Sequence, residues 1–150
     1  MDRILIDTDI ILDFFFDREP FSENASKILS LCESKEVKGF VTPVIISNVY
    51  YLLRRTAKHE KVIEKLTLLM SLLEVIIIDK RVIIKALSSD FKDFKDALQN
   101  YSAEQNTEVD IIITRNTKDY KNSHLSVMSP DNYIKTRNAN RLQTNRFHEG

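Results

Sequence analysis

Turn formers are scarce in this chain, with two glycines and three prolines among 150 residues. All-β architectures need many turn positions, and flexible linkers are rich in small residues, so neither fits. A single cysteine, Cys32, excludes an internal disulfide and a Cys-based zinc site. It lies in an apolar helical run, which marks it as a small core residue, because a free thiol buries readily. Net charge is absent too, with 22 Lys+Arg against 22 Asp+Glu. Bulk electrostatics therefore exerts no pull towards nucleic acid, and any such contact must come from a local basic patch. No apolar stretch approaches the roughly 20 residues that span a bilayer. The opening MDRILIDTD places acids inside its apolar run and offers no small-residue cleavage site, unlike a signal peptide. The expectation is a soluble, cytoplasmic protein with no membrane partner.

What is present is a globular composition, 43% hydrophobic and 29% charged, in a length that suits one domain with a real core. Short β-branched runs alternate with longer amphipathic ones. Arg3 to Ile6, Phe40–Val41, Val75 to Ile78 and Ile111 to Ile113 read as buried strands, and Leu125 to Met128 as a weaker fifth. Helical patterns lie between them. Phe21 to Lys35 has Ser22 as its cap, and Gly39 marks the turn into the next strand. Thr42-Pro43 opens a helix through Arg55. Glu60 to Leu73 spaces Ile63, Leu66, Leu69, Met70 and Leu73 helically, Lys92 to Gln105 forms another helix, and Ser129-Pro130-Asp131 starts a last short one through Ile134. This alternation predicts an α/β fold, a parallel sheet covered on both faces, with its site at the C-terminal edge of the strands. The domain is expected to end near residue 136. The polar, partly basic segment 137–150, with Arg137, Arg141 and Arg146, is either a frayed end or a docking arm. His59, His124 and His148 stand isolated and suggest no site.

Acids gather where such a fold places chemistry. Asp7 follows the first strand, with Asp9 and Asp13 close behind. Asp119 lies in the loop after Ile111–Ile113, and Asp93 and Asp96 are three apart on a predicted helix, which puts them on one face. Like charges about 4 Å apart repel by about 4 kcal/mol at an effective dielectric near 20. A cluster of several therefore needs a cation or shared protons. An all-oxygen ligand set favours Mg²⁺ or Mn²⁺ over zinc, and such an ion could activate a water against a phosphodiester. Each acid alone also has a plainer reading, as a turn former, helix cap or surface acid; the joint placement favours metal.

The ordered motifs resemble a known family. Ile4-Leu5-Ile6-Asp7-Thr8-Asp9-Ile10-Ile11-Leu12-Asp13 is similar to the opening strand and loop of PIN domains, and Arg18-Glu19-Pro20 to one subgroup's continuation of that loop. Asp93-Phe94-Lys95-Asp96-Ala97-Leu98-Gln99 resembles the third acidic motif, and Thr114-Arg115-Asn116-Thr117-Lys118-Asp119-Tyr120 the fourth. Met128-Ser129-Pro130-Asp131 resembles the closing strand and helix start. The resemblance implies a Rossmann-like three-layer α/β/α fold with about five parallel strands. It also implies a metal-dependent endoribonuclease acting on single-stranded RNA, as in VapC-like toxins, which pair with an antitoxin and often form homodimers. Mapped by motif, Asp7, Asp96 and Asp119 are the catalytic acids and metal ligands. Thr8, Asp9, Asn48, Asp93, Thr114 and Asn116 surround them, and Arg18 and Arg115 are the basic residues best placed for RNA.

Two positions depart from the family pattern. Asn48 stands where a Glu is usual, a subgroup trait by resemblance, and Asn116 stands where many relatives carry Asp. Asn offers a neutral oxygen and no base at neutral pH. A catalytically weak or inactive PIN-fold module that binds RNA or protein is therefore the second reading. A third is a haloacid-dehalogenase-like phosphatase, which Asp7-Thr8-Asp9 approaches. That family is expected to carry Thr or Val at Ile11, a later paired-acid motif, and a cap or longer chain, none of which is found.

Overall fold

The structure is a computed structural model that describes residues 1–149, with side chains described through residue 146. The end of the polar tail, including the side chain of His148 and all of Gly150, lies outside the described residues. Five strands form one parallel sheet: β1 (Arg3–Ile6), β2 (Lys38–Val41), β3 (Glu74–Val75), β4 (Ile111–Ile113) and β5 (Ser126–Met128). Their order is β3-β2-β1-β4-β5. Central β1 sets Leu5 opposite Phe40 on one side and Ile112 on the other. Ile4, Leu5 and Ile6 are fully buried, as a strand covered on both faces requires.

Helices α1 (Thr8–Phe15), α2 (Ser22–Glu33), α3 (Pro43–Leu53), α4 (His59–Leu72), α5 (Lys80–Leu87), α6 (Phe94–Gln105) and α7 (Pro130–Glu149) complete the chain. Right-handed crossovers from β1 through β2 to β3 put α1–α4 on one face, and the return from β3 to β4 puts α5 and α6 on the other. Packing agrees, since α1–α4 contact one another and α7 lies against α2, whereas α5 packs on α6. The outcome is a three-layer α/β/α arrangement. Its main core joins the strands to Ile10, Ile28, Val49 and Leu69, and a smaller cluster of Val82, Ala86, Ala97 and Leu98 lies under α5 and α6. Among the described residues no helix is long and apolar enough to cross a membrane.

Several local expectations shift. Thr42 caps α3 through a 3.1 Å bond from the Ile45 amide, with Pro43 in the first turn. Ser22 is not a cap but the first residue of α2, its hydroxyl donating to Glu19 Oε1 at 3.2 Å. The buried stripe of α4 is Val62, Leu66 and Leu69; Ile63 and Met70 face outward. Only Glu74–Val75 pair as a strand, because Ile77 turns to solvent after the buried Ile76. Helices α1 and α5, eight residues each, were not assigned from the sequence. In α1 three successive apolar residues, Ile10 to Leu12, are all buried, so no 3.6-residue period stands out. Helix α7 runs well past Ile134; Tyr133 and Ile134 hold it, and residues 138–146 are exposed.

Gly39 lies inside β2, not in the turn before it, and its need is steric. A Cβ there would sit 2.6 Å from Cys32 Sγ and 2.6 Å from Leu73 Cδ2. Cys32 is core, 5% exposed, and burial pushes its thiol up to about 12. Gly39→Ala is expected to cost about 1–3 kcal/mol by overpacking, measured by urea unfolding; unchanged stability would contradict this packing account.

Candidate functional site

Strand order reverses between β1 and β4, and open α/β sheets place ligands outside the carboxyl ends of strands at such a switch point. Asp7 is the first residue past β1, its amide bonded to Ile113 O at 3.0 Å. Its carboxylate is 5% exposed and accepts three donors. Thr8 N reaches Oδ1 at 2.7 Å, Gln99 Nε2 reaches the same oxygen at 3.0 Å, and Thr114 Oγ1 reaches Oδ2 at 2.8 Å. One side chain thus ties together the start of α1, the middle of α6 and the end of β4.

Asp96 enters from the first turn of α6. Asp93 does not share its face: it precedes the helix and caps it, accepting from Asp96 N at 3.0 Å. Asp96, Gln99 and Asn100 follow at i, i+3 and i+4, all buried on one face. Tyr120 OH accepts from Gln99 Nε2 at 2.6 Å and donates to Asp96 Oδ1 at 3.3 Å. Burial, then the nearby Asp7 and Asp93 charges, push the Asp96 carboxyl up to about 6, against the opposing pull of Lys95 and Tyr120. Burial, then the same Asp7 and Asp96 charges, raise the Tyr120 phenol above its ordinary range.

A second acidic arm lies along α1. Asp9 Oδ2 accepts from Arg115 N and from Asn116 Nδ2, both at 3.3 Å. Burial and then Asp7 push Asp9 up to about 7, although the Arg115 charge and amide oppose the shift. Asp13, 1% exposed, is gripped at both oxygens by Arg115, with Nε at 2.8 Å and Nη2 at 3.1 Å. The same guanidinium lies 4.0 Å over the Phe21 ring, and Arg18 approaches Asp13 at 3.7 Å.

The structure therefore brings together Asp7, Thr8, Asp9, Asp96, Thr114 and Asn116, with Asp93 touching through its cap. Asp119 is exposed on the 3-10 turn Thr117–Tyr120, and among the described residues it forms no metal-holding cluster of three acids with them. The neighbouring Tyr120 points inward instead. Asn48, on α3, keeps Nδ2 buried without a hydrogen-bond partner. Arg115, read from the sequence as an RNA contact, is engaged by Asp13, while Arg18 stays largely exposed. Sequence reasoning missed Gln99, Asn100, Tyr120 and the anchoring role of Asp13. The available signal was two carboxamides placed three and four residues after Asp96.

Among the described residues, no three His, Cys, Asp or Glu side chains converge closely enough to cage a metal. The donor chemistry nevertheless suits a hard cation held loosely. Mg²⁺ is commonly bound through one or two carboxylates while keeping several waters. Asp7 and Asp96 provide such a pair, and Thr8 Oγ1, Asp9 Oδ1, Gln99 Oε1 and both amide atoms of Asn100 are buried without partners. Buried polar atoms in this state are satisfied by water or an ion.

A family model described as PIN domain matches residues 3–118. No curated protein matches the chain. Among solved structures, VapBC2 from Rickettsia felis, bound to a promoter DNA fragment, is 17% identical, covering 85% of this chain and 98% of that one with a TM-score of 0.62. VapBC-1 from nontypeable Haemophilus influenzae is 15% identical, covering 86% and 98%, with a TM-score of 0.65. Mycobacterium tuberculosis VapC20, a Sarcin-Ricin loop cleaving toxin, is 15% identical, covering 73% and 86%, with a TM-score of 0.56.

The raised carboxyls give a signed pH dependence. Asp9 at about 7 and Asp96 at about 6 hold protons in the fold that the unfolded chain releases near 3.8. Without divalent ions, the stability these two groups contribute is thus fully present below pH 4 and is lost as pH rises through 6 to 7. Asp96→Asn removes its share, so in EDTA its melting temperature should exceed wild type at pH 7.5 and converge with it at pH 4. A variant less stable than wild type at pH 7.5 would contradict the account.

Proposed function

Because the chain belongs to the PIN domain family, we propose that it is a divalent-metal-dependent endoribonuclease of toxin type that cuts single-stranded RNA at the β1–β4 switch point. The observation carrying this reading is the buried Asp7–Asp96 pair, in which burial and then the Asp7 charge raise the Asp96 carboxyl. Those two carboxylates would hold Mg²⁺ or Mn²⁺, which when bound supplies an activated water and polarises a phosphoryl oxygen. Asp119, exposed and in no three-acid cluster with the pair, is left out of this ligand set.

The chain's own residues take the remaining work. Thr114, Gln99 and the Thr8 amide orient Asp7. Asp9 keeps Oδ1 buried without a partner and, pushed up to about 7, is the carboxyl best poised to accept a proton from water at neutral pH. Arg18 and the exposed edge of Arg115 would meet the phosphate backbone, with Asp13 fixing the Arg115 guanidinium. Beside them a cavity of about 240 Å³, lined by Phe21, Asn24, Arg115 and Asn116, leaves room for a nucleotide. An antitoxin-like partner would find a groove of about 420 Å³ lined by Phe14, Phe15, Leu29, Leu68 and Leu72 together with Glu33 and three serines. A homodimer would cover the exposed Ile77, Ile84, Leu87 and Phe94. The missing third acid favours the second reading, an RNA-binding module without turnover.

Cleavage of single-stranded RNA with Mg²⁺ or Mn²⁺ decides between them. Wild type should cut, EDTA should stop it, and Asp7→Asn and Asp96→Asn should each lose at least about 100-fold. Equal cleavage by wild type and Asp7→Asn, or RNA binding without cleavage, would overturn the nuclease reading.

A further inference from the structure

We infer that Gln99 and Tyr120 are positioning residues, a neutral bridge that holds Asp7 and Asp96 as a fixed pair for a divalent cation. The metal half of this inference rests on the proposed nuclease reading; the bridge itself does not.

Hydrogen-bond polarity supports the bridge. Gln99 Nε2 has two protons and places them in two directions, on Asp7 Oδ1 at 3.0 Å and on Tyr120 OH at 2.6 Å. Tyr120 has one proton and gives it to Asp96 Oδ1 at 3.3 Å. Every donor in this bridge is used, and the bridge delivers one hydrogen bond to each carboxylate. Reversing the Gln99 amide would aim Oε1 at the Asp7 carboxylate, so only one arrangement avoids facing acceptors. Gln99 is 0% and Tyr120 2% exposed, which keeps water from competing for these bonds. The Tyr120 ring is in turn steadied by Phe91, edge-on at 6.1 Å between centroids.

Three separate parts of the chain meet here: the end of β1, helix α6 and the 3-10 turn after β4. Without the bridge, two buried acids would rely on helix and strand packing alone for their separation, and repulsion would push them apart. The bridge resists this with neutral groups, so position 99 also sets the charge of the site. A Glu there would add a third carboxylate against Asp7. A cation would then favour the crowded site, and the metal-free fold would suffer from it.

Two arms test this on the full chain. In EDTA, a double-mutant cycle of Asp7→Asn and Tyr120→Phe should be non-additive in melting temperature by about 3 °C, and should become additive in a Gln99→Leu background. Additivity with Gln99 intact, or non-additivity that persists in Gln99→Leu, would overturn the bridge. In Mn²⁺ titrations followed by calorimetry, Tyr120→Phe should weaken binding about 10-fold while retaining a folded melting transition. Gln99→Glu should melt lower than wild type in EDTA yet gain more than wild type from Mn²⁺. An equal loss with and without Mn²⁺ would reduce Gln99 to a packing role and overturn the positioning claim. A wild type that binds no Mn²⁺ overturns the metal half and the nuclease reading, while the EDTA cycle still decides the bridge.

Discussion

The grip on Asp7 by Thr8, Gln99 and Thr114 is the interaction on which the C-terminal edge of the sheet depends. It joins neighbouring strands β1 and β4 at the point where their crossovers diverge to opposite faces. A carboxylate there has lost most of its water, and burial of a charge is tolerated only with several donors in place. Three donors from three elements meet that demand. They also fix where Asp7 points, which decides how its field acts on Asp9 and Asp96.

The acids around it differ in burial and in how fully they are compensated. Asp13 is neutralised by a two-pronged bond from Arg115, which is itself stacked on Phe21. Asp9 receives an amide and a carboxamide but remains pushed up to about 7. Asp96 receives one weak hydroxyl bond and sits at about 6. Asp13 is therefore structural in character, and the side formed by Asp7, Asp9 and Asp96 is where a cation would gain most.

Much of the fold was legible because its signals are local. Continuous Ile and Leu in β1 and β4, and Thr42-Pro43 at the head of α3, each state their element within a few residues. Short α1 and α5 were missed because eight residues give barely two turns, too few to show a period. Asp7, Asp96 and Thr114 could be named because strand ends and motif spacing locate them. Asp119 could not be placed that way: whether it or Tyr120 faces inward depends on the 3-10 turn, where one residue reverses direction. Gln99 was hidden for another reason, since a buried carboxamide on an amphipathic helix has meaning only once its partners on β1 and on that turn are known.

The central claim is that Asp7 and Asp96 share one divalent cation. Anomalous scattering from a crystal grown with Mn²⁺ tests it most directly. The account predicts a single strong peak between the two carboxylates, absent in Asp7→Asn. No peak at saturating Mn²⁺, or one centred on Asp119 away from Asp7, would contradict it.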